Sequence, residues 1–191
     1  MLQTLVERFP QFLLKTSAYR GQDTAVIKRE GLLEMAGRLR DDPGLQCDLL
    51  MDLTAVDYLK YGRSLGSAPT RSTPSPLPYY MKPKPTTEIW ERAVSNETYR
   101  FDVVYHLFSS VYHHRIRLHV PVTAADPVVD SLTSLWAGAN WFEREVWDLF
   151  GIRFTGHPNL RRILMYDEFQ GHPLRKDYPV NKRQPLIGPT T

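Results

Sequence analysis

Glu143, Glu145 and Asp148 crowd into one short stretch, WFEREVWDLFG, and paired carboxylates are the basic equipment of general acid–base catalysis. A structural reading competes. At the start of a helix Glu143 and Glu145 would complement the dipole, and Arg144 and Asp148 at i, i+4 would pair. That reading is the simpler one. The six histidines offer no better chemistry. His113 and His114 are adjacent and diverge on a strand or turn; His106 and His119 sit in separate strand-like runs; His157 and His172 each precede a proline. No HExxH or CxxC spacing is present, so no metal is expected, and the rings are read as turn residues bonding backbone or partner groups.

Nucleophiles fare similarly. Cys47 lies in the apolar context QCDLLM, where a thiol is usually packing. There is no G-x-S-x-G. Ser109 and Ser110 follow His106, but no carboxylate is placed by spacing to orient it. No glycine-rich phosphate loop follows a strand. The expectation is a chain with no catalytic, cofactor-binding or metal-binding residues of its own.

Charge points elsewhere. The 191 residues carry a formal net charge of +3 and a sequence pI near 9.0. From Arg153 onward stand Arg161, Arg162, Arg175, Lys176, Lys182 and Arg183, against only Asp167, Glu168 and Asp177, so the basic excess belongs to this last segment. The segment is irregular and Gly/Pro-punctuated, yet rich in Phe, Leu, Ile and Tyr. Such a ribbon is expected to lie on a neighbouring polypeptide, with pockets for Ile163, Leu164, Leu174 and Tyr178 and carboxylates for its arginines. A nucleic-acid backbone is the competing ligand for a basic ribbon. The interspersed acids and the two GHP turns, at Gly156 and Gly171, argue against it. A small standalone enzyme built on His106, Ser109 and the Glu143 helix is the third reading.

The elements that would position these residues follow from periodicity. Residues 2–9 suit a short amphipathic helix stopped by Pro10. Residues 12–19 and 23–28 read as strands with Gly21 in the turn, and Glu30 to Arg40 as a helix ended by Asp41-Asp42-Pro43-Gly44. Cys47 to Tyr58 reads as a strand. Six prolines between Pro69 and Pro85 make residues 61–98 an extended inserted loop. Tyr99–Ser109 and Arg115–Val122 read as a hairpin pair. Asp126-Pro127 suggests an N-cap, with Val128, Val129, Leu132, Leu135 and Trp136 as a helical stripe. Asn140 and Glu143 resemble a capping box for a second helix ending at Gly151. The expected fold is α+β: a mixed or antiparallel sheet with helices on one face, plus an extended C-terminal segment. The domain is expected over 1–151, and the basic partner-wrapping tail over 152–191. No signal peptide is read in MLQTLVERFP, and no stretch approaches the ~20 apolar residues of a membrane span. Lone Cys47 suits a reducing compartment.

Three ordered stretches carry a resemblance: EREVWDLFGI at Glu143–Ile152, GHPNLRRIL at Gly156–Leu164 and GHPLRKDYP at Gly171–Pro179. Weaker matches lie at LMDLTAVDY (Leu50–Tyr58), RFDVVYHL (Arg100–Leu107) and RLHVPV (Arg117–Val122). Together they resemble the 30 kDa family of respiratory complex I, the C subunit of NADH:quinone oxidoreductase. The resemblance implies a non-catalytic peripheral-arm subunit on the cytoplasmic side of the bacterial inner membrane. It implies packing against the quinone-site D subunit, near the B and I subunits, with NADH, FMN, iron–sulfur clusters and quinone all bound by partners. Under it the tail would wrap a neighbour through Arg161, Arg162, Leu164, Gly171, His172, Pro173, Leu174, Arg175, Lys176, Asp177, Tyr178 and Pro179. Related membrane-bound hydrogenases and quinone oxidoreductases contain similar subunits and form the alternative within the same class.

Overall fold

The computed structural model describes residues 2–59 and 99–184. The Pro-rich loop read at 61–98 therefore lies outside the described residues. The element order is α1 (Leu2–Arg8), β1 (Leu13–Tyr19), β2 (Gln22–Ile27), a 3-10 turn (Arg29–Gly31), α2 (Leu32–Asp41), β3 (Leu49–Asp57), β4 (Phe101–Phe108), β5 (Arg115–Val122), β6 (Val128–Asp130), α3 (Ala139–Phe150) and β7 (Arg153–Thr155).

Five strands form one mixed sheet in the order β1-β2-β5-β4-β3. Arg20 and Gly21 both take positive φ, 51° and 75°, giving the two-residue turn whose twist suits a hairpin between β1 and β2. The β4–β5 hairpin closes through Ser109 N–H to His114 O and His113 N–H to Ser109 O, with His113 at φ 54°. Parallel pairing of β2 with β5 makes the sheet mixed. Strand alternation then sorts the side chains. Phe101, Val103, Tyr105 and Leu107 of β4 and Ile116, Leu118, Val120 and Val122 of β5 face one side. They join Leu5 of α1, Met35 and Leu39 of α2, and Val146 and Phe150 of α3 in a single core. α3 runs along the edge strand β3. The fold class read from periodicity is the one observed.

Two local expectations are corrected. Val128–Asp130 is a strand, not the start of a helix, and it pairs in parallel with β7. The apparent helical stripe is real as a burial pattern: Val129, Leu132 and Trp136 are all buried. A strand followed by a turn, closed by the Leu135 and Trp136 amides donating to Leu132 O, delivers the same three side chains to the core. Two adjacent β-branched residues favour the extended form there. Second, α3 begins after Gly138 with no side-chain cap. Glu143 does not reach back to Asn140; it turns inward, accepting from Ser131 Oγ at 2.6 Å and from Leu132 N–H at 2.7 Å. Gly151 does end the helix, in the left-handed conformation at φ 74°.

The core also extends past the expected boundary. Ile152 and Phe154 are buried in it, and β7 completes a second small sheet with β6. The tail proper therefore starts at Gly156.

Candidate functional site

The carboxylates of α3 are separated by their partners, not assembled into a reactive pair. Glu143 is wholly buried under the β6 turn, and that burial pushes its carboxyl up to about 7 against the two bonds it accepts. Glu145 is exposed. Arg144 does not pair with Asp148; it donates to the carbonyls of Arg161 and Arg162 at 3.2 and 3.1 Å and lies over the Trp141 ring. Asp148 is itself fully buried and faces the tail. Three consecutive amides, of Ile163, Leu164 and Met165, donate to its Oδ2 at 3.1, 2.9 and 2.8 Å, and Arg162 Nη1 donates to its Oδ1 at 2.5 Å. Burial alone would raise this carboxyl; the amides and the guanidinium outweigh it and hold it below the usual range.

The last turn of α3 is the second anchoring point. A helix leaves its final carbonyls without intrahelical partners. Here the GHPLRKDYP stretch supplies them. His172 Nδ1 donates to Asp148 O at 2.9 Å and Leu174 N–H to Leu149 O at 3.1 Å. Arg175 Nε donates to Phe150 O at 2.5 Å, and its Nη2 reaches Gly151 O at 3.4 Å. The last turn of α3 has no basic residue of its own, so Arg175 also brings the positive charge that the helix dipole favours there. Close approach depends on Gly151: a Cβ at that position would stand 2.5 Å from both Arg175 Nη2 and His172 Nε2.

A third anchor joins the tail to the sheet. Arg100 donates to both oxygens of the buried Asp57, at 3.1 Å from Nε and 2.7 Å from Nη2. The same guanidinium holds Asp177 through bonds of 2.9 and 2.7 Å, and Lys176 N–H donates to Asp57 at 2.8 Å. Arg100 lowers the Asp177 carboxyl, and together with the Lys176 and Leu59 amides it overcomes the effect of burial on Asp57.

Of the cations and acid expected to anchor a partner, Arg162, Arg175 and Asp177 thus have partners inside their own chain. Those partners are the buried Asp148, the carbonyl of Phe150 at the end of α3 and the Arg100 guanidinium. Gly171 takes φ 97° and accepts from Arg162, Tyr178 stacks on Phe169, and His172 lies edge-on to Trp147. Pro173 and Tyr178 are half-buried, whereas Arg161, Leu164, Gly171, Leu174, Lys176 and Pro179 are exposed. None of the residues from Thr155 to Gln184 is buried. The tail is tied down along one side and open along the other.

The remaining candidates are dispersed. His157 bonds Asn140 O and accepts from Asn159 N–H; His114 bonds Leu45 O; both are turn roles, as read from sequence. Ser109 is buried in the hairpin turn and Ser110 is held by Asp48. Burial raises the Cys47 thiol to about 11. His119 pairs with Asp102 at 2.5 Å on the sheet face opposite the helices. That pair escaped the sequence reading because its members lie on neighbouring strands, diagonal in the ladder. Nearby, His106, Asp52, Arg115 and Arg117 line a shallow cavity of about 210 Å³ with charges of both signs. No cluster of three or more potential metal ligands occurs among the described residues. No helix among them is long and apolar enough to cross a membrane.

A family model described as the respiratory-chain NADH dehydrogenase 30 kDa subunit matches residues 25–184. The C subunit of the NADH-quinone oxidoreductase of Citrifermentans bemidjiense is 43% identical over 96% of this chain and 92% of its own length. That of Roseiflexus castenholzii is 40% identical over 96% and 85%. Its counterpart from Coxiella burnetii is 44% identical over 78% of this chain, which spans only 63% of that longer protein. Among solved structures, a trypsin-resistant fragment of Nqo5 superposes with a TM-score of 0.56 at 29% identity, covering 83% of this chain and 98% of the fragment. A chain of an archaeal membrane-bound sulfane sulfur reductase shares the fold, with a TM-score of 0.64 at 16% identity, over 94% of this chain and 84% of that one.

Proposed function

The chain belongs to the family of the respiratory-chain NADH dehydrogenase 30 kDa subunit, and from that premise we propose that it is a non-catalytic peripheral-arm subunit of a proton-pumping NADH:quinone oxidoreductase. Its work is to hold neighbouring subunits in fixed relation while electrons pass from NADH to quinone. The neighbours are chiefly the quinone-site D subunit, with the B and I subunits nearby. NADH, FMN, the iron–sulfur clusters and quinone are bound by those partners and not by this chain. It sits on the cytoplasmic side of the bacterial inner membrane and reaches the bilayer only through its partners.

The observation that carries this reading is the tail. Between Arg161 and Lys176 it is tied by bonds to buried groups, yet Leu164 and Leu174 remain 55% and 47% exposed. An ordered apolar surface suits a permanent neighbour. Rigidity is the physical contribution such a subunit can make, because electron transfer between a donor cluster and quinone requires a fixed separation.

The test is the partner list of the affinity-tagged chain after gentle detergent extraction of membranes, read by mass spectrometry. Recovery with the flavin, iron–sulfur and quinone-site subunits is expected. Recovery with hydrogenase subunits would place the chain in a related complex, and recovery alone would refute the subunit assignment.

A further inference from the structure

The tail's docking decides which of its residues remain available to a neighbour. Its inward groups are already committed: His172, Leu174 N–H and Arg175 cap α3, three amides and Arg162 surround Asp148, and Asp177 with Lys176 N–H completes the Asp57–Arg100 pair. All of these contacts lie within one chain. Each removes a buried carboxylate or an orphan helix carbonyl from an unsatisfied state, so the strap has its own reason to stay down.

We propose that the tail is docked on its own domain before any partner arrives, and that the partner is met by the side chains this docking leaves outside, Leu164 and Leu174 with Arg161 and Lys176 beside them. The two leucines hang from one helix end: the Leu164 amide is on the Asp148 carboxylate and the Leu174 amide on the next carbonyl, that of Leu149. Arg161 is held through its carbonyl by Arg144 and Lys176 through its amide by Asp57, and both side chains are exposed. Asp177 is held by Arg100, and of the other exposed charges of the tail Arg161, Lys176, Lys182 and Arg183 outnumber Asp167 and Glu168, with Arg161 and Lys176 flanking the two leucines in sequence. The fitting occupant is a subunit face with an apolar depression rimmed by carboxylates. Pre-ordering the strap spares association most of the entropy that folding on contact would cost. The partner's identity rests on the subunit reading above; the docked state of the free chain does not.

Hydrogen exchange on the purified full chain separates the two. The amides of Ile163, Leu164, Met165, Leu174 and Lys176 are expected to exchange on the order of 100-fold more slowly than in a Gly151→Ala chain, in which the added Cβ displaces His172 and Arg175. Should Gly151→Ala not fold, Arg175→Ala removes the bonds to Phe150 O and Gly151 O without touching the helix and serves in its place. A Leu164→Asp/Leu174→Asp chain should keep slow tail exchange but lose about tenfold in recovery of partner subunits from detergent-extracted membranes. Unprotected tail amides in the free wild-type chain would overturn the docked state. Undiminished partner recovery by the double variant would overturn the assigned surface. If the wild-type chain recovers no partner at all, the subunit reading falls while the exchange data still decide the docking.

Discussion

Asp57 and Arg100 stand at the two ends of the 60–98 segment and are joined by a two-pronged ion pair, with side chains 0% and 14% exposed. The two described residues are thus joined within the sheet, at the last position of β3 and the position just before β4. Asp177 reaches the same guanidinium from the tail. Removing one partner of such a buried pair leaves the other uncompensated. Asp57→Ala is expected to cost about 3 kcal/mol, read as a fall in the urea midpoint.

With Asp57 and Arg100 joined in this way, the length of chain between them is expected to matter little to the domain, since closure entropy grows only slowly with the number of residues enclosed. Replacing residues 60–98 by a short Gly/Ser turn should leave the thermal midpoint within a few degrees of the full chain. The same replacement in an Asp57→Ala background should lower it sharply, as measured by circular dichroism.

Asp148→Asn tests the α3–tail cradle. The amide keeps one acceptor but loses the charge that Arg162 and three backbone amides share. A loss of roughly 2–3 kcal/mol is expected, within the range for breaking a buried charged network. Arg162 stands over the Trp147 ring at 5.7 Å, so release of the tail should also change tryptophan emission before the domain unfolds.

Stability should fall at both ends of the pH scale, for different groups. Burial raises Glu143 from 4.5 to about 7, so between those values the folded chain keeps a proton that the unfolded chain has released. Its contribution is full below pH 4.5 and is lost as pH rises through about 7. Asp57 and Asp148 work the other way: held below 3.8, they stabilise above that value and lose their effect as pH falls through their folded pKa. Urea midpoints measured from pH 3 to 8 should show both limbs, and Glu143→Gln should flatten the upper one alone.

Cys47 is wholly buried, and its thiol is raised to about 11. Alkylation of the native chain at pH 8 should therefore proceed only as fast as the protein opens, and addition of urea should make it immediate.

The parts of the fold carried by local pattern were legible in the chain. Alternation in RIRLHVPV and the Arg20-Gly21 turn specify strands and a hairpin through side-chain period and φ alone. The β6 segment was not, because Val129, Leu132 and Trp136 satisfy helical spacing while a strand and a turn bury them equally well. The tail was legible as an irregular basic ribbon, but not the destination of its arginines. Nothing in LRRIL or PLRKDYP says that Arg162 finds a carboxylate on α3 or that Arg175 finds the carbonyls at its end. Those partners lie 14 and 25 positions away and are brought close only by the α3–β7 reversal. Gly151 was readable as a helix stop; that it also leaves room for His172 and Arg175 depends on where the tail returns in space.

The tail is proposed as the face this chain shows its neighbours. The direct measurement compares the partner list of the tagged full chain with that of a chain ending at Gly156, which keeps β7 and the core residues Ile152 and Phe154. The shortened chain is expected to unfold cooperatively, at lower denaturant, and to be recovered without NADH:quinone oxidoreductase subunits. Recovery of the shortened chain with its full set of partners would contradict the account.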